Sequence, residues 1–385
     1  MIEGRSIICF AHDWGGDPTS KTHIMRILSR RNKILWVNSI GMRRPNASSQ
    51  DLQRLLGKFR HSLNGCVEVE PNLFVTNPLV LPLVGLSLAD WFNARLLTTL
   101  LRVRCRRLHM EQPILWTFLP NVNRLIGRLG EQMVIYHCVD KYSAFSGVPR
   151  EALMQMEQQL ARQAHFVFAS SEQLCKELKP INPNTHFISH GVDVPHFARA
   201  REPSLDVPDD LRHLPRPVIG FFGRLEDWVD ISLIRDLALR RPQWSFVLIG
   251  TVVTNLQSLR RLPNVHLLGQ KPYAALPAYC RGFDVGIIPF RMNELTVRAN
   301  PLKLREYLAA GLPVVSTPLP EVMRYKHLVY LANGVEAFLA EIELALEKQS
   351  EEMVCRRMEI MRRESWEARV SELSALIGAP LEARP

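Results

Sequence analysis

Asn300, Lys303 and Glu306 stand three residues apart in NPLKLREYLAAGLPVVSTPLP (300–320), a spacing that brings them close to one face of a helix. Ala309-Ala310-Gly311 stops that helix, and the apolar, β-branched run after it reads as a buried strand. A helix N-terminus offers free N–H groups and partial positive charge, which suits a phosphate. A cation beside a carboxylate at that place can hold a diphosphate and sugar hydroxyls together, which is the chemistry of a nucleotide-sugar site. Taken alone, Lys303 and Glu306 read first as an ion pair on a solvated helix face. The companions of the pair therefore decide.

Gly220-Phe221-Phe222-Gly223-Arg224 closes an apolar run; its glycines let backbone approach a ligand, and Arg224 can meet a diphosphate. The plainer reading is a tight strand-to-helix turn with a surface arginine. Glu294-Leu295-Thr296 follows another strand end and presents backbone amides ahead of the helix. In the first half of the chain, His137-Cys138-Val139-Asp140 ends a strand. A carboxylate or histidine at a strand end is placed to act as a general base, Asp140 ahead of His137. Otherwise Asp140 caps a turn and His137 is a satisfied core histidine. The loop His12-Asp13-Trp14-Gly15-Gly16, with His23 in the helix after it, is either a second phosphate or acceptor loop or a flexible surface loop. No G-x-G-x-x-G, Walker, H-E-x-x-H or G-x-S-x-G pattern occurs, so dinucleotide, P-loop, zincin and serine-hydrolase readings lose support, and no metal site is expected.

The elements that must position these groups alternate strand and helix. Strands are expected at 6–11, 34–38, 67–77, 113–118, 133–140, 165–170 and 185–191, with helices at 20–31, 90–107, 121–129, 150–163 and 171–178. Pro- and charge-rich residues 201–216 form a linker, after which the same grammar restarts at 217. At 385 residues two domains are the default. The expected organisation is an N-terminal domain over 1–200, a C-terminal domain over 217–365, and a final helix, 366–385, returning to the first.

The net charge of +10 is uneven: residues 1–202 hold 25 Lys/Arg against 16 Asp/Glu, and the remainder 23 against 22. The apolar stretch Leu79–Leu88 followed by Trp91, Phe92, Arg95, Arg102, Arg104, Arg106 and Arg107 suits an anionic membrane surface, or else a core helix with a solvated basic face. It is too short to span a bilayer, and no secretory signal is evident. Seven scattered cysteines without a C-x-x-C pair fit a reduced, cytoplasmic protein. The basic half lacks the arginine-and-aromatic strand motifs of RNA readers, so no nucleic-acid partner is expected.

NPLKLREYLAAGLPVVST, GFFGR about 80 residues before it, GQKPYAALPAYCRGFDVGIIPF (269–290) and the HGVD turn at 190–193 together resemble the GT-B-fold glycosyltransferases. The likeness is to the group 1 and family 4-like bacterial enzymes that build surface polysaccharides. It implies an α/β architecture of two facing, doubly wound Rossmann-like domains with a cleft between them. It also implies hexosyl or glycuronosyl transfer from a nucleoside diphosphate sugar, with a UDP-sugar favoured over a GDP-sugar, to a lipid-linked or glycan acceptor. Metal-independent transfer at the inner face of the cell membrane would follow. By the same resemblance Gly223 and Arg224 lie at the diphosphate, Tyr273 near the base or ribose, Lys303 on phosphate and Glu306 on ribose hydroxyls. Many relatives carry a second glutamate eight residues before the first; here that position is Arg298, so either Glu294 stands in or the sugar is held differently. A nucleotide-sugar epimerase on the same fold and a non-catalytic basic binding protein are the alternatives.

Overall fold

The computed structural model describes residues 1–39, 65–78 and 87–382. The chain forms two compact units, Met1–Ser189 with Arg369–Pro385, and His190–Ala368. Most of the apolar stretch Leu79–Leu88, residues 79–86, lies outside the described residues.

The first unit is built on an eight-stranded sheet of β1 (Ser6–Phe10), β2 (Lys33–Val37), β3 (Cys66–Glu70), β4 (Leu73–Thr76), β5 (Ile114–Thr117), β6 (Met133–Cys138), β7 (Phe166–Ala169) and β8 (Thr185–Phe187). Its order is β3-β4-β2-β1-β5-β6-β7-β8, parallel except for the β3–β4 pair. SIICF, KILWV, ILWT and MVIYHC are almost wholly apolar, and all but their first residues are fully or nearly fully buried, as parallel strands covered on both faces require. Residues 67–77, expected as one strand, are a hairpin instead. Pro71 and Asn72 make the turn, and Asn72 adopts φ 62°, a left-handed conformation that asparagine tolerates. The helices are α1 (Ser20–Ser29), α2 (Ser87–Arg107), α3 (Arg150–Gln163) and α4 (Glu172–Leu178), with short turns aside. Ser171 caps α4 by accepting from the Leu174 N–H at 3.2 Å. The expected helix at 121–129 is a short 3₁₀ segment, Pro120–Leu125.

The second unit carries a six-stranded, wholly parallel sheet in the order β11-β10-β9-β12-β13-β14. Its strands are β9 (Val218–Phe222), β10 (Ser245–Ile249), β11 (Val265–Gly269), β12 (Val285–Ile288), β13 (Val314–Ser316) and β14 (Tyr330–Leu331). Its longer helices are α5 (Ile231–Arg240), α6 (Leu276–Gly282), α7 (Leu302–Ala309), α8 (Val335–Glu347) and α9 (Glu351–Arg362); a last helix, α10 (Trp366–Glu382), begins in this unit and from Arg369 onward belongs to the first. Helices α9 and α10 are separated at 363–365. The Pro-rich stretch 201–216 lies inside this unit: Leu211 is buried against Gly282, where a Cβ would come within 2.2 Å of it.

In both sheets the strand order reverses beside the first strand, between β1 and β5 and between β9 and β12. Open α/β sheets bind ligands outside the carboxyl ends of strands at such a switch point. Each unit therefore sets out its candidate residues where its own topology leaves a crevice.

One buried charge organises the second unit. Arg305 of α7 is fully buried; it donates to Glu364 Oε2 at 2.9 Å, Asn300 Oδ1 at 2.7 Å and the Tyr325 hydroxyl at 2.9 Å. Removing one member of such a network strands the others without partners. Arg305→Met should cost about 2–4 kcal/mol in urea denaturation. A loss under about 0.5 kcal/mol, the size of an ordinary surface change, would show that the network does not hold the fold.

Candidate functional site

In the second unit the end of β9 and the start of α7 meet at Gly223. This glycine has φ 138°, and a Cβ on it would lie 2.8 Å from both Cε and Nζ of Lys303. Gly250, at φ 142° at the end of β10, has no room either: a Cβ there would sit 1.9 Å from the Gly223 carbonyl oxygen. The two missing side chains leave the lysine its channel. Its Nζ lies 5.4 Å from the ring centroids of Phe221 and of Phe290. Among the described residues no acceptor hydrogen-bonds or ion-pairs with it. Burial pushes the Lys303 pKa down, and the Glu306 carboxylate acts against that shift. The result is a half-buried ammonium whose N–H donors are unspent.

The other sequence-predicted residues of this unit are placed as follows. Arg224 donates through Nε to Glu226 Oε1 at 2.9 Å; the glutamate side chain is buried and the arginine 58% exposed. Glu226 was not foreseen, and its only signal is a carboxylate two residues beyond the arginine. The Tyr273 ring stacks on His196 with centroids 4.3 Å apart and planes 9° from parallel, and Phe197 meets it edge-on at 5.7 Å. The Tyr273 carbonyl also pairs with His196 Nε2 at 3.0 Å. The amides of Leu295 and Thr296 both donate to Asn293 Oδ1 at 3.0 Å, so this turn caps itself with them. The Glu294 carbonyl accepts from Arg298 Nη1 at 2.6 Å, and Arg298 thus folds back onto its own turn. Asn300, expected on the ligand face of the helix, is buried and bound to Arg305. The residue precedes α7, which starts at Leu302, so helical spacing does not extend to it. Gly223 and Lys303 are brought together, with Glu306 close enough to act on the lysine; Asn300 is not part of that group.

In the first unit the ends of β1 and β6 and the first turn of α1 set a second group together. Asp140 is half-buried, and burial pushes its pKa up to about 6, with Lys21 acting in the opposite direction. His137 is 1% exposed; burial and then Lys21 hold its pKa at about 3, so it is neutral. It stacks on Phe118 with centroids 5.0 Å apart, and its Nδ1 has no partner. His12 is held at about 4, first by burial and then by Lys21. Gly15 has φ 99°, and no atom lies within 4 Å of where a Cβ would stand on it or on Gly16. His23 lies half-buried in α1. Lys21 was missed in the sequence; its signal was a lysine in the first turn after a Gly-Gly loop. Among the described residues no three His, Cys, Asp or Glu side chains are grouped to hold a metal ion.

Two doubly wound α/β units, one ending its first strand on Gly-Arg beside a lysine-bearing helix, define the GT-B fold. The family of glycosyl transferases group 1 matches residues 216–348. The TuaH protein of Bacillus subtilis (strain 168), assigned as a teichuronic acid biosynthesis glycosyltransferase, is 30% identical over 280 residues, covering 66% of this chain and 69% of the relative. Among solved structures, sucrose-phosphate synthase from Thermosynechococcus elongatus superposes with a TM-score of 0.72 at 16% identity, over 98% of this chain and 100% of that one. HepE of Anabaena in complex with UDP-glucose gives 0.66 at 14%, over 97% and 99%. The catalytic domain of starch synthase IV from Arabidopsis thaliana, bound to ADP and acarbose, gives 0.65 at 12%, over 97% and 99%. The chain belongs to the group 1 glycosyltransferases and is a GT-B glycosyltransferase. The epimerase and the non-catalytic binding protein fall away with that assignment.

Proposed function

We propose that the protein transfers a sugar from a nucleoside diphosphate sugar, held by the second unit, to a hydroxyl of a lipid-linked or glycan acceptor held by the first, in cell-surface glycan synthesis. The observation that carries the donor half is the unspent ammonium of Lys303 beside Gly223 and the first turn of α7. Lys303, Arg224 and the helix N-terminus would stabilise the negative charge that develops as diphosphate leaves, in place of a metal ion. Glu306 is the candidate for ribose hydroxyls, and the stacked Tyr273 for the base or ribose. Asp140 is the candidate base. UDP is favoured because HepE is described with UDP-glucose. The acceptor class is favoured by the teichuronic acid assignment of the TuaH relative.

A thermal-shift panel of UDP, GDP, ADP and their sugars tests the donor half. Stabilisation by UDP and UDP-sugars above the others is expected; no response to any nucleotide would remove the reading.

A peripheral place on the inner, anionic face of the membrane is part of the same proposal. No described helix is long and apolar enough to cross a membrane. On α2, Trp91 and Phe92 are 48% and 50% exposed, the Arg95 guanidinium lies 4.4 Å from the Trp91 ring centroid, and Arg102, Arg106 and Arg107 are exposed. Aromatic and cationic groups on one exposed helix suit an interface. The protein should float with anionic liposomes at low salt, and W91A/F92A should not. Wild-type protein remaining at the bottom of the gradient would end the membrane proposal.

A further inference from the structure

The charged pair in the first unit has a feature that base catalysis alone leaves unexplained. Lys21 and Asp140 act on each other electrostatically, yet they do not form a direct ion pair. The Lys21 ammonium lies 5.7 Å from the centroid of the Tyr142 ring and, among the described residues, has no hydrogen-bond or ion-pair partner. Both side chains are half-buried, where an unpaired charge is costly. Around them stand further polar atoms with nothing to bind. Tyr142 is 7% exposed, Ser143 on the same turn 5% and His137 1%. The Tyr142 and Ser143 hydroxyls and His137 Nδ1 are all unpartnered.

The nearby charges are already spent. Asp13 accepts from Ser39 N and Oγ at 3.0 and 2.7 Å, and Glu157 pairs with Lys141 at 3.0 Å and the Tyr136 hydroxyl at 2.8 Å. His12 and His137 are neutral. What remains is one cation and one carboxylate held apart over buried hydroxyls.

The geometry points to a subsite for an acidic sugar, in which the acceptor carries a carboxylate or phosphate that binds Lys21 and the Tyr142 hydroxyl, beside a sugar hydroxyl that donates to Asp140. One molecule of that chemistry satisfies both charges at once. A neutral sugar would leave the ammonium unpaired, and an anion without hydroxyls would leave Asp140 repelling it. This rests on the assignment of acceptor binding to the first unit and names the acceptor's chemical class.

The test is a titration of the full chain, followed by NMR, with glucose, glucuronic acid, glucose 6-phosphate and inorganic phosphate, each with and without UDP. At least one of the two acidic sugars should bind about tenfold more tightly than glucose, the worth of one charge-assisted hydrogen bond. Which of the two does so separates carboxylate from phosphate. The advantage should vanish in Lys21→Met, persist in Lys21→Arg, and leave UDP binding unchanged in both. Equal binding of all three sugars, or of none, overturns the proposal. So does a preference that survives Lys21→Met, or inorganic phosphate binding as tightly as the acidic sugars. Because the wild-type comparison stands alone, a variant that fails to fold does not rescue it. Absence of UDP binding, with the acidic-sugar preference intact, would instead count against the donor reading.

Discussion

Lys303→Met should lower kcat/KM by about two to three orders of magnitude, the usual loss when one preorganised donor to developing charge is removed. The ammonium is kept half-buried by Phe221 and Phe290, beside a glycine whose missing Cβ leaves it room. Away from bulk water, its attraction for a diphosphate is less screened than that of an exposed lysine. Methionine keeps the length and apolar packing of the side chain, so a loss can be assigned to charge. Nucleotide binding should weaken in parallel, measured by calorimetry with UDP. Turnover and UDP affinity both within about twofold of wild type would remove Lys303 from the site. Arg224 should matter less, because Glu226 already neutralises part of its charge.

Asp140→Asn should reduce transfer by about two to four orders of magnitude while leaving UDP affinity unchanged. The wild-type pH profile supplies an independent check. Burial raises the Asp140 pKa to about 6, and a base acts only when deprotonated. The kcat/KM should therefore rise with pH through about 6 and level above it, and the asparagine variant should lose that limb. Retained transfer in Asp140→Asn, or an identical acidic limb in the variant, would rule Asp140 out as the base. His137 is a poor rival: at about 3 its pKa is too low for a useful base, and its ring is packed against Phe118 and Trp116.

Much of the fold was legible because each parallel strand, buried on both faces, appears as an apolar run between turn signals. The α3 helix over 150–163 and the Ser171 cap were readable for the same local reasons. The hairpin at 66–76 was not. Pro71-Asn72 is a turn signal, but two such residues do not by themselves tell a reversal from a bulge, and the register of Cys66 against Thr76 decides it.

The candidate site divides along the same line. Sequence alone determined the glycine at the end of β9, the lysine and glutamate of α7 and the carboxylate at the end of β6. Those signals are local, since strand ends, helix starts and their spacing are written in consecutive residues. Tertiary structure decided what each group is free to do. Asn300 is spaced like a ligand but was drawn inward, because a fully buried arginine needs an acceptor more than a surface helix needs an amide. The Leu295 and Thr296 amides were taken by Asn293, and Arg224 was shared with Glu226. Lys303 and Lys21 kept their charges unspent, because packing set rings beside them and left the Glu306 and Asp140 carboxylates near but short of a direct ion pair. Whether a charge is paired depends on what the fold places opposite it, and residues distant in the sequence supply that.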